Sequence, residues 1–144
     1  MVLKNNSKLY EEEIVLNLRN KYKLKIEVAS FAKGLIPNYI LLDRTRNIHS
    51  YIIICKKSEE CFTSVYFNHN YNLEKNLMDI SRIQYSELGR PLFLIYEELN
   101  SNNLKVIDVS EIKELLLTKK FSVKNLFQLE IDFDQVAPII KEEL

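Results

Sequence analysis

Ile36-Pro37-Asn38-Tyr39-Ile40-Leu41-Leu42-Asp43 and, beyond a short polar loop, Tyr51-Ile52-Ile53-Ile54-Cys55-Lys56-Lys57 are the runs that decide the fold. Both are apolar at consecutive rather than alternate positions. That pattern marks strands covered on two faces, in the interior of a sheet. Gly34 and Pro37 turn the chain into the first run, and Arg44-Thr45-Arg46-Asn47 connects the two. The spacing predicts strands over Tyr39–Asp43 and Tyr51–Cys55.

Working toward the N-terminus, Leu24, Ile26 and Val28 alternate with Lys23, Lys25 and Glu27, the period of a half-buried strand. Before it, Tyr10, Ile14, Leu18 and Tyr22, with Val15 beside them, form a helical stripe. Ser7 is a candidate N-cap, and Glu11, Glu12 and Glu13 would lie near the positive end of a helix over 7–21.

Working toward the C-terminus, Ser58-Glu59-Glu60 turns into a fourth strand over Cys61–Phe67. Leu73, Leu77, Ile80 and Leu88 predict a helix over 72–88, ended by Gly89 and Pro91. Leu92–Tyr96 reads as a buried strand, with Leu104–Val109 as its hairpin partner across the turn Asn100–Asn103. Ser110 would cap a short helix through Leu117. Phe127, Leu129, Ile131 and Phe133 alternate as an edge strand over 126–133, and Gln135–Leu144 suits a last helix interrupted near Pro138. Interleaved but not strictly alternating elements predict an α/β (α+β) fold, a mixed central β-sheet flanked by helices.

A length of 144 residues fits one domain with a sizeable core. Hydrophobic residues make up 47% and charged residues 28%, as in ordinary globular proteins. No apolar run approaches the ~20 residues that cross a bilayer, and the start lacks the apolar core of a signal peptide. Two cysteines, Cys55 and Cys61, make no disulfide framework, so reduced thiols in a cytoplasmic protein are expected. The net charge is zero but unevenly spread: residues 1–57 hold 11 Lys/Arg against 5 Asp/Glu. His49 and His69 show no metal-ligand spacing with the cysteines, and two glycines cannot build a phosphate loop.

The order helix, three strands, helix, strand over residues 7–109 resembles the core of the PD-(D/E)XK, or restriction endonuclease-like, nuclease superfamily. Pro37-Asn38 resembles the family's Pro-Asp strand, and Ile54-Cys55-Lys56 its Glu-x-Lys strand. The resemblance implies degenerate catalytic positions at Asn38, Lys56 and Glu12, the last standing for a helix glutamate that Glu11 or Glu13 would equally match. Such nucleases hold Mg²⁺ with carboxylates beside the scissile phosphate. Asn38 offers only a neutral amide oxygen, and Ile54 offers nothing. Asp43 is a poor substitute: it lies five residues beyond Asn38, about 17 Å along a strand, and on the opposite face.

The implied function is therefore a catalytically inactive nuclease-like domain. It would bind DNA, RNA or a protein partner in DNA processing, defence or mobile-element biology, without a cofactor. Nucleic acid would meet Lys23, Lys25, Arg44, Arg46, Lys57 and Tyr71, the last within the polar aromatic segment Tyr66–Tyr71. One alternative is an active Mg²⁺-dependent endonuclease with a migrated acid. Another is a protein-interaction domain, a homodimer through the edge near 126–133, without nucleic acid.

Overall fold

The computed structural model describes residues 2–28, 39–57, 62–64, 90–98, 102–108 and 129–144. Helix α1 (Val2–Asn20) leads into β1 (Lys25–Val28), β2 (Tyr39–Leu42) and β3 (Ile48–Lys57). Then come β4 (Phe62–Ser64), β5 (Leu92–Glu97), β6 (Leu104–Asp108), β7 (Ile131–Asp132) and α2 (Phe133–Glu143). The sheet order is β1-β2-β3-β5-β6-β7, and β4 pairs with the end of β3. All neighbours are antiparallel except β3 and β5, which are parallel. The expected mixed sheet with helices, an α+β arrangement, is thus present. A parallel pair requires a long crossover, and residues 58–91 supply the length. The expected helix over 72–88 lies outside the described residues, as does the one over 110–117.

The consecutive apolar runs are buried as their composition requires. Tyr51–Ile54 and Leu92–Tyr96 are all 7% exposed or less, so both faces of the sheet centre are covered. On one face Ile52, Ile54, Phe93 and Ile95 pack with Ile14, Val15 and Leu18 of α1 and with Phe133, Ala137 and Ile140 of α2. Full burial of one such aliphatic side chain contributes roughly 1.5–3 kcal/mol. The ring of Tyr22 meets Phe133 edge-on, with centroids 4.7 Å apart, joining the two helices.

Several element boundaries differ from the sequence reading, each for a local reason. Helix α1 begins at Val2, so Ser7 lies inside it, and no acid occupies its first turn. Glu11, Glu12 and Glu13 sit at and just past its midpoint, away from the positive end. Val28 is 70% exposed rather than buried, because it closes a strand at the edge of the sheet. Strand β3 starts at Ile48 instead of Tyr51. Its pairing with β2 shifts between Leu41↔Ser50 and Leu42↔Ile48, which leaves His49 as the extra residue of a β-bulge. The strand also runs on through Lys56 and Lys57, opposite Thr63 and Phe62 of β4.

Near the C-terminus, Ile131 and Asp132 form the expected edge strand, but Phe133 opens α2 instead of continuing it. Asp132 takes the N-cap position in extended geometry without a side-chain cap bond. Its Oδ1 instead accepts from Lys105 Nζ at 2.5 Å. Helix α2 runs through Pro138 without interruption. Pro138 and Asp134 are both on the exposed side, where water can serve the Asp134 carbonyl that Pro138 cannot bond. The buried spacing Phe133, Ala137, Ile140 holds the helix in place.

Helix α1 closes without glycine. Leu24 N–H donates to the Leu18 carbonyl at 3.1 Å, six residues back, and Lys23 between them takes φ 58°. Arg19 then donates from Nε (3.0 Å) and Nη2 (2.7 Å) to the Ile26 carbonyl, occupying a polar group of the β1 edge strand. A left-handed conformation costs a non-glycine residue roughly 1–2 kcal/mol, and glycine's greater freedom in the unfolded chain offsets part of any relief. Lys23→Gly is expected to raise stability by about 0.5–1 kcal/mol in urea denaturation. A loss of stability would show that Lys23 does not hold that conformation.

Candidate functional site

The end of the sheet formed by the start of β2 and the ends of β3 and β5 carries the positions that sequence pointed to first. Tyr39, opposite Ile52, is buried, and its hydroxyl donates to Glu11 Oε1 of α1. Burial, the Glu11 hydrogen bond and the Glu11 charge hold that phenol above the usual tyrosine range, so it stays protonated and donating. Glu97 N–H, at the end of β5, donates to Tyr10 Oη at 2.9 Å. Burial, and then the negative charge of Glu13, push the Glu97 carboxyl up. Helix α1 thus brings a row of carboxylates over the strand ends, with tyrosines between them and the core.

Position 54, where the resemblance to PD-(D/E)XK nucleases would call for a metal-binding acid, is different in kind. Ile54 is 0% exposed and pairs with Ile95 inside the apolar core. Glu11 has a carboxylate oxygen engaged by Tyr39, and Glu12 is exposed. Lys56 holds a ladder position two residues beyond Ile54, and Asn38 lies outside the described residues. Among the described residues no three His, Cys, Asp or Glu side chains come together in a metal-holding group. An aliphatic side chain has no lone pair for a hard cation, so the described side chains around Ile54 do not fit Mg²⁺.

Asp43 has a separate role at the other end of β2. Its Oδ1 accepts from Thr45 N–H at 2.8 Å, Thr45 Oγ1 at 2.7 Å and Asn47 N–H at 2.9 Å. Its own N–H donates to the Asn47 carbonyl. The Thr45 hydroxyl bond, the Asn47 N–H and, more weakly, the charge of Arg90 hold its carboxyl below the usual range. Asp43 therefore organises the β2–β3 turn, an aspartate's common task in tight loops.

Around that turn the structure gathers residues that sequence named separately. Lys25 pairs with Leu42, the last residue of β2, and Lys23 stands two residues before it. Arg44 and Arg46 occupy the turn, with Arg46 in the left-handed region at φ 66°. All four are exposed. Arg90, which enters β5 through Pro91, adds a fifth exposed cation. Its place is fixed by the bond from Tyr51 N–H to the Pro91 carbonyl at 2.9 Å. Sequence reading passed over Arg90 because Gly89 and Pro91 read only as punctuation; a charge just before a buried strand was the available signal. Lys57 lies at the opposite end of β3, roughly 30 Å away by strand rise, and so does not join this group. Tyr71 lies outside the described residues.

His49 at the bulge is structural. Its side chain is 12% exposed, and Nε2 lies 2.7 Å from Glu143 Oε2, tying the last turn of α2 to β3. His69 and Cys61 lie outside the described residues.

Compared with known proteins, the chain matches no family model, and no curated protein or solved structure matches it.

The Glu97 environment gives a test of this geometry. A carboxyl raised in the folded state adds stability that is complete below its unfolded value, near pH 4, and is lost as pH rises through the folded value. Glu97→Gln is expected to raise the urea midpoint at pH 7 and to leave it unchanged near pH 4. An equal shift at both pH values would exclude the Glu97–Glu13 repulsion.

Proposed function

We propose that this chain is a nuclease-like domain that binds nucleic acid without cutting it. The observation that carries the reading is Ile54. In an arrangement resembling the PD-(D/E)XK core, the residue that should supply a metal-binding carboxylate is instead an aliphatic side chain with no exposure. The topology supports the resemblance: α1, the antiparallel β1-β2-β3 meander, and then β5 parallel to β3. Five exposed cations beside the β2–β3 turn support the binding half of the reading.

The metal-dependent alternative finds less support. A Lewis acid held beside a phosphate needs anionic ligands. The acid nearest in sequence to Asn38, Asp43, is engaged in a turn at the far end of β2.

The test is to incubate the protein with labelled duplex DNA in Mg²⁺ and in Mn²⁺, following strand length and fluorescence anisotropy together. Binding that weakens steeply with salt, with both strands intact, is expected. Metal-dependent cleavage that Lys56→Ala abolishes would overturn the reading, as would failure to bind at about 20 mM salt.

A further inference from the structure

The two ends of the sheet carry different sets of charged side chains. Glu11, Glu13 and Glu97 gather where α1 passes the start of β2 and the end of β5. Lys23, Lys25, Arg44, Arg46 and Arg90 gather at the start of β1, the β2–β3 turn and the entry to β5. A phosphate backbone approaching the first end meets Glu11, Glu13 and Glu97, and among the described residues no metal-holding group offsets them. Approaching the second, it meets five cations against Glu27, Asp43, Asp108 at the end of β6, and the α2 terminus with Glu142 and Glu143.

Two of those acids are already committed. Glu27 pairs with Arg46 at 3.2 Å, and Asp43 Oδ1 accepts the three hydrogen bonds of the turn. Glu143 is turned to His49. Among the described residues Lys23, Lys25, Arg44 and Arg90 take part in no ion pair. They stand on four neighbouring chain ends, from β1 through β2 and β3 to β5. At ~4.8 Å per strand the row spans about 14 Å, enough to meet several successive phosphates.

We infer that the nucleic-acid surface of this chain is this basic end, away from the nuclease-like end, and that its ligand is the phosphate backbone of a duplex. The inference rests on the nucleic-acid reading above and gives it a location. Tyr51 and Phe93, the described aromatic residues nearest this end, are buried, so its described side chains offer charge and hydrogen-bond donors rather than a stacking platform. Recognition by phosphates alone is independent of sequence. Arginine suits it through its planar fork of donors.

The test compares two double variants of the full chain on a fluorescein-labelled 20-base-pair DNA duplex, each first checked for folding by circular dichroism. Arg44→Ala/Arg90→Ala removes two exposed cations from the basic end. Lys56→Ala/Lys57→Ala removes two lysines from the other end of β3. The first pair is expected to weaken binding about 10-fold or more and to reduce the slope of log K against log salt by about 2. The second is expected to change neither, and an unlabelled duplex of unrelated sequence should compete equally. Equal loss in both variants, or loss only in the second, overturns the location and leaves the nucleic-acid reading standing. Absence of binding by the wild-type chain overturns both.

Discussion

The parallel pairing of β3 with β5 is the constraint on which the rest of the molecule depends. Tyr51 through Ile54 run alongside Leu92 through Ile95, and every one of these side chains is buried. A pair covered on both faces can carry no charge without a partner, because removing an ion from water costs several kcal/mol. Position 54 is therefore held to an apolar residue by the core itself. The same pair fixes where β2 and β6 attach. Through them it sets the two ends at which the polar side chains collect.

Three tyrosines fasten the periphery to this centre in a common way. Tyr39 donates to Glu11, Tyr22 to Asp134 at 2.5 Å, and Tyr96 to Glu130. Each ring supplies apolar area to the interior, and each hydroxyl finds a carboxylate from a distant part of the chain. Acids along α1 and beside α2 are thus engaged by phenols, and among the described residues they form no metal-holding group. Part of their oxygen capacity serves phenol donors. At the other end of the sheet Lys23, Lys25, Arg44 and Arg90 are exposed and take part in no ion pair among the described residues.

Much of the centre was legible because burial on two faces writes itself into sequence as uninterrupted Ile, Leu, Phe and Tyr. The runs at Tyr39–Leu42, Tyr51–Ile54 and Leu92–Tyr96 were visible for that reason, as was the Ile14, Leu18, Tyr22 stripe. Features set by one residue's backbone were not. The His49 bulge has no compositional mark, and the left-handed Lys23 stands where glycine would have announced a helix end. Phe133 continued an alternating pattern and yet opens a helix, because its burial against Tyr22 suits either period. The basic end was half legible. Lys23, Lys25, Arg44 and Arg46 were visible as clusters, but only the register of β1 with β2, and of β3 with β5, brings Arg90 beside them.

The claim that position 54 belongs to the apolar core and to no metal site is tested most directly by placing an acid there. Ile54→Glu should destabilise the chain by at least ~3 kcal/mol in urea denaturation at pH 7, since it buries a carboxylate among aliphatic neighbours. Millimolar Mn²⁺ should restore none of that loss. A variant of unchanged stability, or one that Mn²⁺ stabilises selectively over the wild type, would contradict the account and show a nuclease site in waiting.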